Sequence, residues 1–320
     1  MIDEATAKAR YWVEEPPIHA HPDAISLIQH YRPDLQDTEA MIPILKDIRL
    51  KAWKIKYYPC VGLWQFFKFG MTEMSIYPEI VERLKQGQRI LDMGCFMGLD
   101  GRKLIVDGAP SEGITNMDLE DRWFPLSYDL FKDEDQFKGE FFGGCDINDE
   151  ELFGKGSIHR HRYDMIYIGY FIHLFPPHKQ AHIINSLVQM LKPDSGSMMF
   201  GNTAGTAKEN GYRMKADFAP PVRNEKGEME RPDFVFHSTK TIVDLLSEAV
   251  KEEKDKEWGY TANKAVFDTD TSPTKTFALH FKDAEIVEIK LLSHGYHDYA
   301  SDPDGAHDTH DTLHRNNYTG

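Results

Sequence analysis

Residues 88–118 read QRILDMGCFMGLDGRKLIVDGAPSEGITNMD, and they decide the fold. The apolar pair Ile90-Leu91, running into Asp92, predicts a strand. The turn Gly94-Cys95-Phe96-Met97-Gly98 follows, then a helix-forming run, then a second strand that closes on Asp118. Glycines at 94 and 98 let backbone approach a ligand at a helix N-terminus. Twenty residues beyond Gly98, Asp118 is placed to accept hydrogen bonds from ribose hydroxyls, with Leu119 beside it. A chain built this way grips a nucleoside.

The turn departs from the dinucleotide pattern in an informative way. Reaching a pyrophosphate requires G-x-G-x-x-G, yet the second glycine position is Phe96. Asp92 at the strand tip argues in the same direction: a carboxylate repels pyrophosphate and attracts the ammonium of a methionine moiety. S-adenosylmethionine, leaving as S-adenosylhomocysteine, fits both facts.

Two further segments follow in the order such a site needs. Residues 141–147 (FFGGCDI) read as a short strand ending in Asp146, whose carboxylate could take the adenine amino group while Ile147 packs on the ring. Residues 163–169 (YDMIYIG) read as a buried strand ending at Gly169, and 170–175 (YFIHLF) follow at the carboxyl edge, where open α/β sheets bind ligands. Pro176-Pro177 then starts a helix expected to run to Leu191. Lys192-Pro193 breaks it before a strand at 197–201. Strands alternating with amphipathic helices predict a parallel, doubly wound sheet.

Taken together these segments resemble the class I S-adenosylmethionine-dependent methyltransferases of fungal secondary metabolism, in particular the group that O-methylates carboxyl groups of polyketide-terpenoids (meroterpenoids). The motifs that carry the likeness are YPCVG at 58–62, LDMGCFMGLD at 91–100, DGAPS at 107–111, YDLF at 128–131, FIHLF at 171–175 and GSMMFG at 196–201. The likeness spans roughly residues 40–292. It implies a Rossmann-like α/β fold, a mostly parallel seven-stranded sheet flanked by helices, with an N-terminal helical cap. The expected cofactor contacts are Tyr57, Asp92, Gly94, Cys95, Gly98, Asp118, Leu119, Asp146, Ile147 and Gly169.

Composition narrows the partners. The net charge of −15 opposes nonspecific association with phosphate backbones, and no basic patch offsets it, so nucleic acid is not the expected substrate. The three cysteines Cys60, Cys95 and Cys145 suit a reducing compartment rather than a disulfide framework. No basic-then-apolar leader opens the chain, and no apolar run reaches about 18 residues. A cytosolic protein without a membrane partner is expected.

The flanks are read as follows. Residues 1–74 form an N-terminal cap: 38–56 read as a helix, and the aromatic stretch 57–69, with Trp64, Phe66, Phe67 and Phe69, covers the cofactor or packs on the sheet. Water exclusion and orientation of that kind can supply about 7 to 11 kcal/mol of barrier lowering. If those aromatics are exposed, a homodimer becomes a natural way to cover them. A helix is expected to begin near Ser75, with Pro78 and Glu79 in its first turn and Gly87 after its last, delivering the chain into the strand at Ile90. The core unit spans 75–293, with a loop at about 202–236 read as a substrate lid. Ser238 caps a helix to about Glu253, and a β pair follows near 260–268 and 276–292. The tail 294–320 is polar and expected to be disordered. Its His307, His310 and His314 have spacings compatible with a metal, but no cysteine joins them, and no metal is expected.

The expected chemistry is direct displacement at a sulfonium methyl. A carboxylic acid is ionised at neutral pH and needs no base, whereas a phenol near pKa 10 benefits from a histidine. His173 is the histidine placed to serve as base or orienting donor, and Tyr170 is a second positioning candidate. A small apolar acid is the favoured substrate. Methylation of a phenolic oxygen or ring nitrogen is the enzymatic alternative. A cofactor-binding protein that transfers nothing is the alternative from another class.

Overall fold

The computed structural model describes residues 3–193, 196–206, 208–215, 222–223, 229–230, 233–251, 276–280 and 290–292. Five parallel strands form the sheet: β1 (Ile90–Met93), β2 (Ile114–Met117), β3 (Glu140–Phe142), β4 (Met165–Gly169) and β5 (Met198–Ala204). Their spatial order is β3-β2-β1-β4-β5. The chain winds outward from β1 through β2 to β3, then returns to the far side of β1 at β4. The order therefore reverses between β1 and β4, and a crevice opens at their carboxyl ends.

Successive residues of the central strands feed opposite faces, as a strand's period of two requires. On one face Leu91, Ile166, Ile168 and Met199 pack with Ile183, Ile184 and Leu187 of α8 (Pro177–Val188) and Ile242 and Leu246 of α9 (Thr239–Lys251). On the other face Ile90, Met165, Tyr167 and Phe200 meet Ile80 and Leu84 of α5 (Tyr77–Lys85) and Leu104 of α6 (Leu99–Val106). Because both faces are covered, β1 and β2 are buried at every position, their polar Asp92, Thr115 and Asn116 included.

The N-terminal helices α1 (Glu4–Tyr11), α2 (Pro22–Tyr31), α3 (Thr38–Ile55) and α4 (Pro59–Gly62) share a third apolar cluster with the turn after β1 and with α7 (Trp123–Phe131). Met41, Leu45, Ile48 and Trp53 of α3 sit in it beside Met97, Leu99, Trp123 and Phe131. Buried Arg49 locks this corner. Its guanidinium stacks between the rings of Trp12 and Trp64, at 3.6 and 4.1 Å, and donates to the carbonyls of Val13 and Glu14.

Several expectations need correction. Trp53, Trp64, Phe67 and Phe69 are buried within the chain, so the exposed-aromatic reason for a homodimer falls away. The helix expected near Ser75 is α5, which begins at Tyr77 and ends at Lys85, ahead of Gly87. α8 ends at Val188, because Leu191 turns off to bridge Tyr163. Residues 202–236 are not one long loop. β5 continues to Ala204, β6 (Tyr212–Lys215) pairs antiparallel with β9 (Asp233–Phe236), and β7 (Val222–Arg223) pairs with β8 (Met229–Glu230). Ser238 caps α9 as expected, its Oγ accepting from Thr241 N at 3.1 Å. β10 (Thr276–His280, antiparallel) and β11 (Lys290–Leu292, parallel) both register on β5. The expected strand positions at 260–268 and 284–289, the end of the 238–253 helix and the tail 294–320 lie outside the described residues.

Candidate active site

The turn between β1 and α6 is tied down from within. Gly94 and Cys95 donate to Met117 O at 2.8 and 3.2 Å, Phe96 donates to Asp118 Oδ2 at 2.9 Å, and Gly98 donates to Cys95 O at 2.8 Å. Gly94, Phe96 and Gly98 all adopt left-handed backbone, with φ of 77°, 52° and 63°. Buried Arg102, paired with Asp133 at 2.8 Å, donates to Met97 O at 2.8 Å and holds the turn from beneath. With these N–H groups spent inside, the turn is no pyrophosphate cradle. It is a rigid rim that lets a ligand lie close to Gly94, where a Cβ would come 2.7 Å from the ring of Phe171.

Three acids converge on that rim. Asp92, in the last turnward half of β1, is 5% exposed, and no donor among the described residues hydrogen-bonds its carboxylate. Burial pushes its pKa well above the usual carboxylate range, and Asp100 and Asp118 push it further. Asp100, in the first turn of α6, is pushed up to about 7, chiefly by burial, although the backbone of Met71 and Gly70 donates to it. Met71 N lies 3.3 Å from Asp100 Oδ1, which brings the 70–74 segment over the crevice. Asp118 follows β2 and accepts from Glu120 N and Phe96 N, both at 2.9 Å; burial raises its pKa and those two donors oppose the rise.

The side of the crevice past Asp118 is more open. Cys145 N donates to Asp118 O at 3.1 Å, which places the 143–147 loop beside Asp118. A cavity of about 380 Å³ is lined there by Gly144, Cys145, Asp146, Leu152, Ser157, Ile158 and His159, among others, and does not extend to Asp92 or His173. Asp146 is exposed, its Oδ1 accepting from both nitrogens of Asn148. Ile147 points into the core at 3% exposure, whereas Leu119 presents apolar surface at 54%. Cys95 is turned inward, and the Tyr57 ring packs at a tilt against Trp53, centroids 5.3 Å apart.

Past β4 the chain bends sharply. Gly169 ends the strand and Tyr170 takes a left-handed φ of 50°, its N–H donating to Asn202 O at 2.8 Å. Such backbone in a bulky residue costs about 1 to 3 kcal/mol and marks a place the surroundings over-determine. Burial raises the Tyr170 phenol, with Glu73 and Asp100 adding to the effect, so it stays neutral. His173 lies in the 3-10 turn Ile172–Leu174, half-buried, with Nδ1 3.3 Å from Thr203 Oγ1 and its ring edge-on to Tyr170 at 6.5 Å. The sequence reading missed Asp100, Tyr167, Asn202 and Thr203. Asp100 alone left a trace there, as an acid in the first turn of the helix after the glycines.

No family model matches the chain. It is 33% identical over 198 residues to the O-methyltransferase atr3 of Stereocaulon alpinum, covering 61% of this chain and 56% of that protein. It is 31% identical over 166 residues to the methyltransferase adrK of Penicillium roqueforti, covering 50% and 57%. The chain thus spans a little over half the length of these curated relatives. Among solved structures, a SAM-dependent methyltransferase from Methanosarcina mazei aligns with a TM-score of 0.40 at 18% identity, over 69% of this chain and 100% of that one. By its sequence relatives the chain is similar to fungal methyltransferases, and its sheet order and glycine turn are those of an open α/β sheet with its crevice at the carboxyl ends of β1 and β4.

Proposed function

We propose that the chain O-methylates a carboxyl group of a small, largely apolar polyketide-terpenoid, in the cytosol that its three free thiols suit. The observation that carries the reading is the Asp92 carboxylate, buried at the switch point beside Asp100 and Asp118, with no donor to it among the described residues. It would face the methionine ammonium, Asp118 the ribose hydroxyls, Leu119 the apolar face of the nucleoside and Asp146 the adenine amino group. When bound, S-adenosylmethionine supplies a methyl already on a sulfonium leaving group, so the bond from carbon to sulfur breaks as the bond to the acceptor oxygen forms.

The chain's own residues then have three tasks. The 70–74 segment and the aromatic cap restrict water above the crevice, so charges there interact in a drier medium. Tyr170, neutral and fixed by its backbone, flanks the acceptor, and His173 donates to the second carboxylate oxygen so that the attacking one is held in line. No proton has to leave a carboxylate at neutral pH. The His173–Thr203 pair also suits a phenol acceptor, with His173 taking the proton.

The test is methyl transfer from labelled S-adenosylmethionine to prenylated and unprenylated aromatic acids, followed by mild alkali. The expected result is label released as methanol, with a rate nearly flat from about pH 6 to 9 because no base titrates. Alkali-stable label with a rate that climbs with pH supports the phenol reading, and no transfer to any acceptor overturns both.

A further inference from the structure

Gln180 of α8 is fully buried, between the turn bearing His173 and the start of α9. Its Nε2 donates to Ile172 O at 3.2 Å and to Phe175 O at 3.0 Å. These two carbonyls bracket the 172–174 turn, so one amide fixes both ends of the segment that carries His173. Two carbonyl acceptors oblige the amide nitrogen to face them and leave Oε1 to accept. His237 Nε2 stands 2.7 Å from that oxygen and must carry the proton. Its Nδ1 is then an acceptor, with Thr241 Oγ1 at 3.2 Å.

His237 is itself pinned. It bridges Gly205, and Thr206 N donates to its carbonyl at 2.9 Å. Burial pushes its imidazole down to about 4, so it remains a neutral Nε2–H donor at any working pH. On its other side the His173 ring meets Thr203 of β5. The polar groups around His173 are thus set from two directions, one of them a buried chain of hydrogen bonds with no surface role.

We infer that Gln180 and His237 are positioning residues for the transfer: His237 orients the Gln180 amide, and that amide sets the 171–175 segment, and through it the His173 ring, against the methyl acceptor. This rests on the proposed methyltransferase reading. Neither residue touches the acceptor, so the effect must pass through His173.

Gln180→Met, His237→Leu, His237→Gln and the Gln180→Met/His237→Leu double variant of the full chain are compared with wild type. Displacement of a reacting group by about an ångström costs up to a hundredfold, so Gln180→Met and His237→Leu should each lower kcat by roughly ten- to a hundredfold. S-adenosylhomocysteine affinity should fall much less than kcat, because the acids of the cofactor rim are untouched and only Phe171, against Gly94, belongs to the displaced segment. The double variant should fall no further than the worse single one, since both act through one chain of bonds. His237→Gln, which keeps an amide donor, should recover most of the loss and carries the test if Gln180→Met fails to fold. Unchanged kcat, additive losses, or cofactor affinity falling in step with kcat overturns the inference. Should wild type transfer no methyl at all, the proposed function fails separately. The positioning claim is then read from the His173 ring-nitrogen NMR signals: a shift in Gln180→Met with cofactor affinity intact supports it, and an unmoved signal overturns it.

Discussion

Asp92 and Asp100 set the electrostatics of the crevice. Both are carboxyls whose folded pKa is raised above the ordinary value, so the fold favours their protonated forms. Stability from that source is complete below the usual carboxylate pKa near 3.8 and is lost as pH rises through about 7, where Asp100 ionises. A bound ammonium reverses the preference, because an adjacent cation favours the charged carboxylate. Binding of S-adenosylhomocysteine, which keeps the ammonium, should therefore release protons near pH 7. Calorimetry in two buffers of different ionisation enthalpy reads this directly, and Asp100→Asn should diminish the release. Proton uptake, or none, would mean that the ammonium lies elsewhere.

At the scale of elements, the glycine turn works because its backbone is left-handed and its neighbours are close. Gly94 and Gly87 separate these two causes. Both have strongly positive φ, 77° and 87°, but a Cβ at 87 would meet nothing within 4 Å, whereas one at 94 meets the Phe171 ring. Gly87→Ala should cost only the left-handed penalty, about 1 to 2 kcal/mol. Gly94→Ala adds overpacking of about 1 to 3 kcal/mol and should lower cofactor affinity as well as Tm. Equal losses of Tm in the two variants, with cofactor affinity retained in both, would show that Phe171 does not press on the turn. Asp118 belongs to the same element: it closes the turn through Phe96 N while keeping lone pairs for a ligand, which couples the shape of the rim to the acid beside it.

Across the whole molecule, what was legible in the sequence was local. β1, the turn, α6 and β2 lie within one stretch, and the short apolar starts of the strands and the spacing from Gly98 to Asp118 are properties of that stretch alone. The alternation of strands and helices then implied a parallel sheet. What was not legible depends on residues far apart meeting in space. Asp100 meets the backbone of Met71 across 29 positions, and Gln180 meets His237 across 57. Burial of the N-terminal aromatics likewise depends on α7, to which no local pattern points. The 202–236 segment read as loop because β7 and β8 are two residues each, too short to show any period. Asp146 and Ile147 read alike as adenine contacts, yet the fold leaves one exposed and turns the other inward, a distinction a single chain's pattern does not encode. The central claim is that the rim built from Asp92, Gly94 and Asp118 binds S-adenosylmethionine. Titration of S-adenosylhomocysteine into wild type and Asp118→Ala tests it most directly: wild type should bind, and the variant should bind about 1 to 3 kcal/mol more weakly through loss of charge-assisted ribose hydrogen bonds. No binding to wild type, or equal binding to a folded variant, would contradict it.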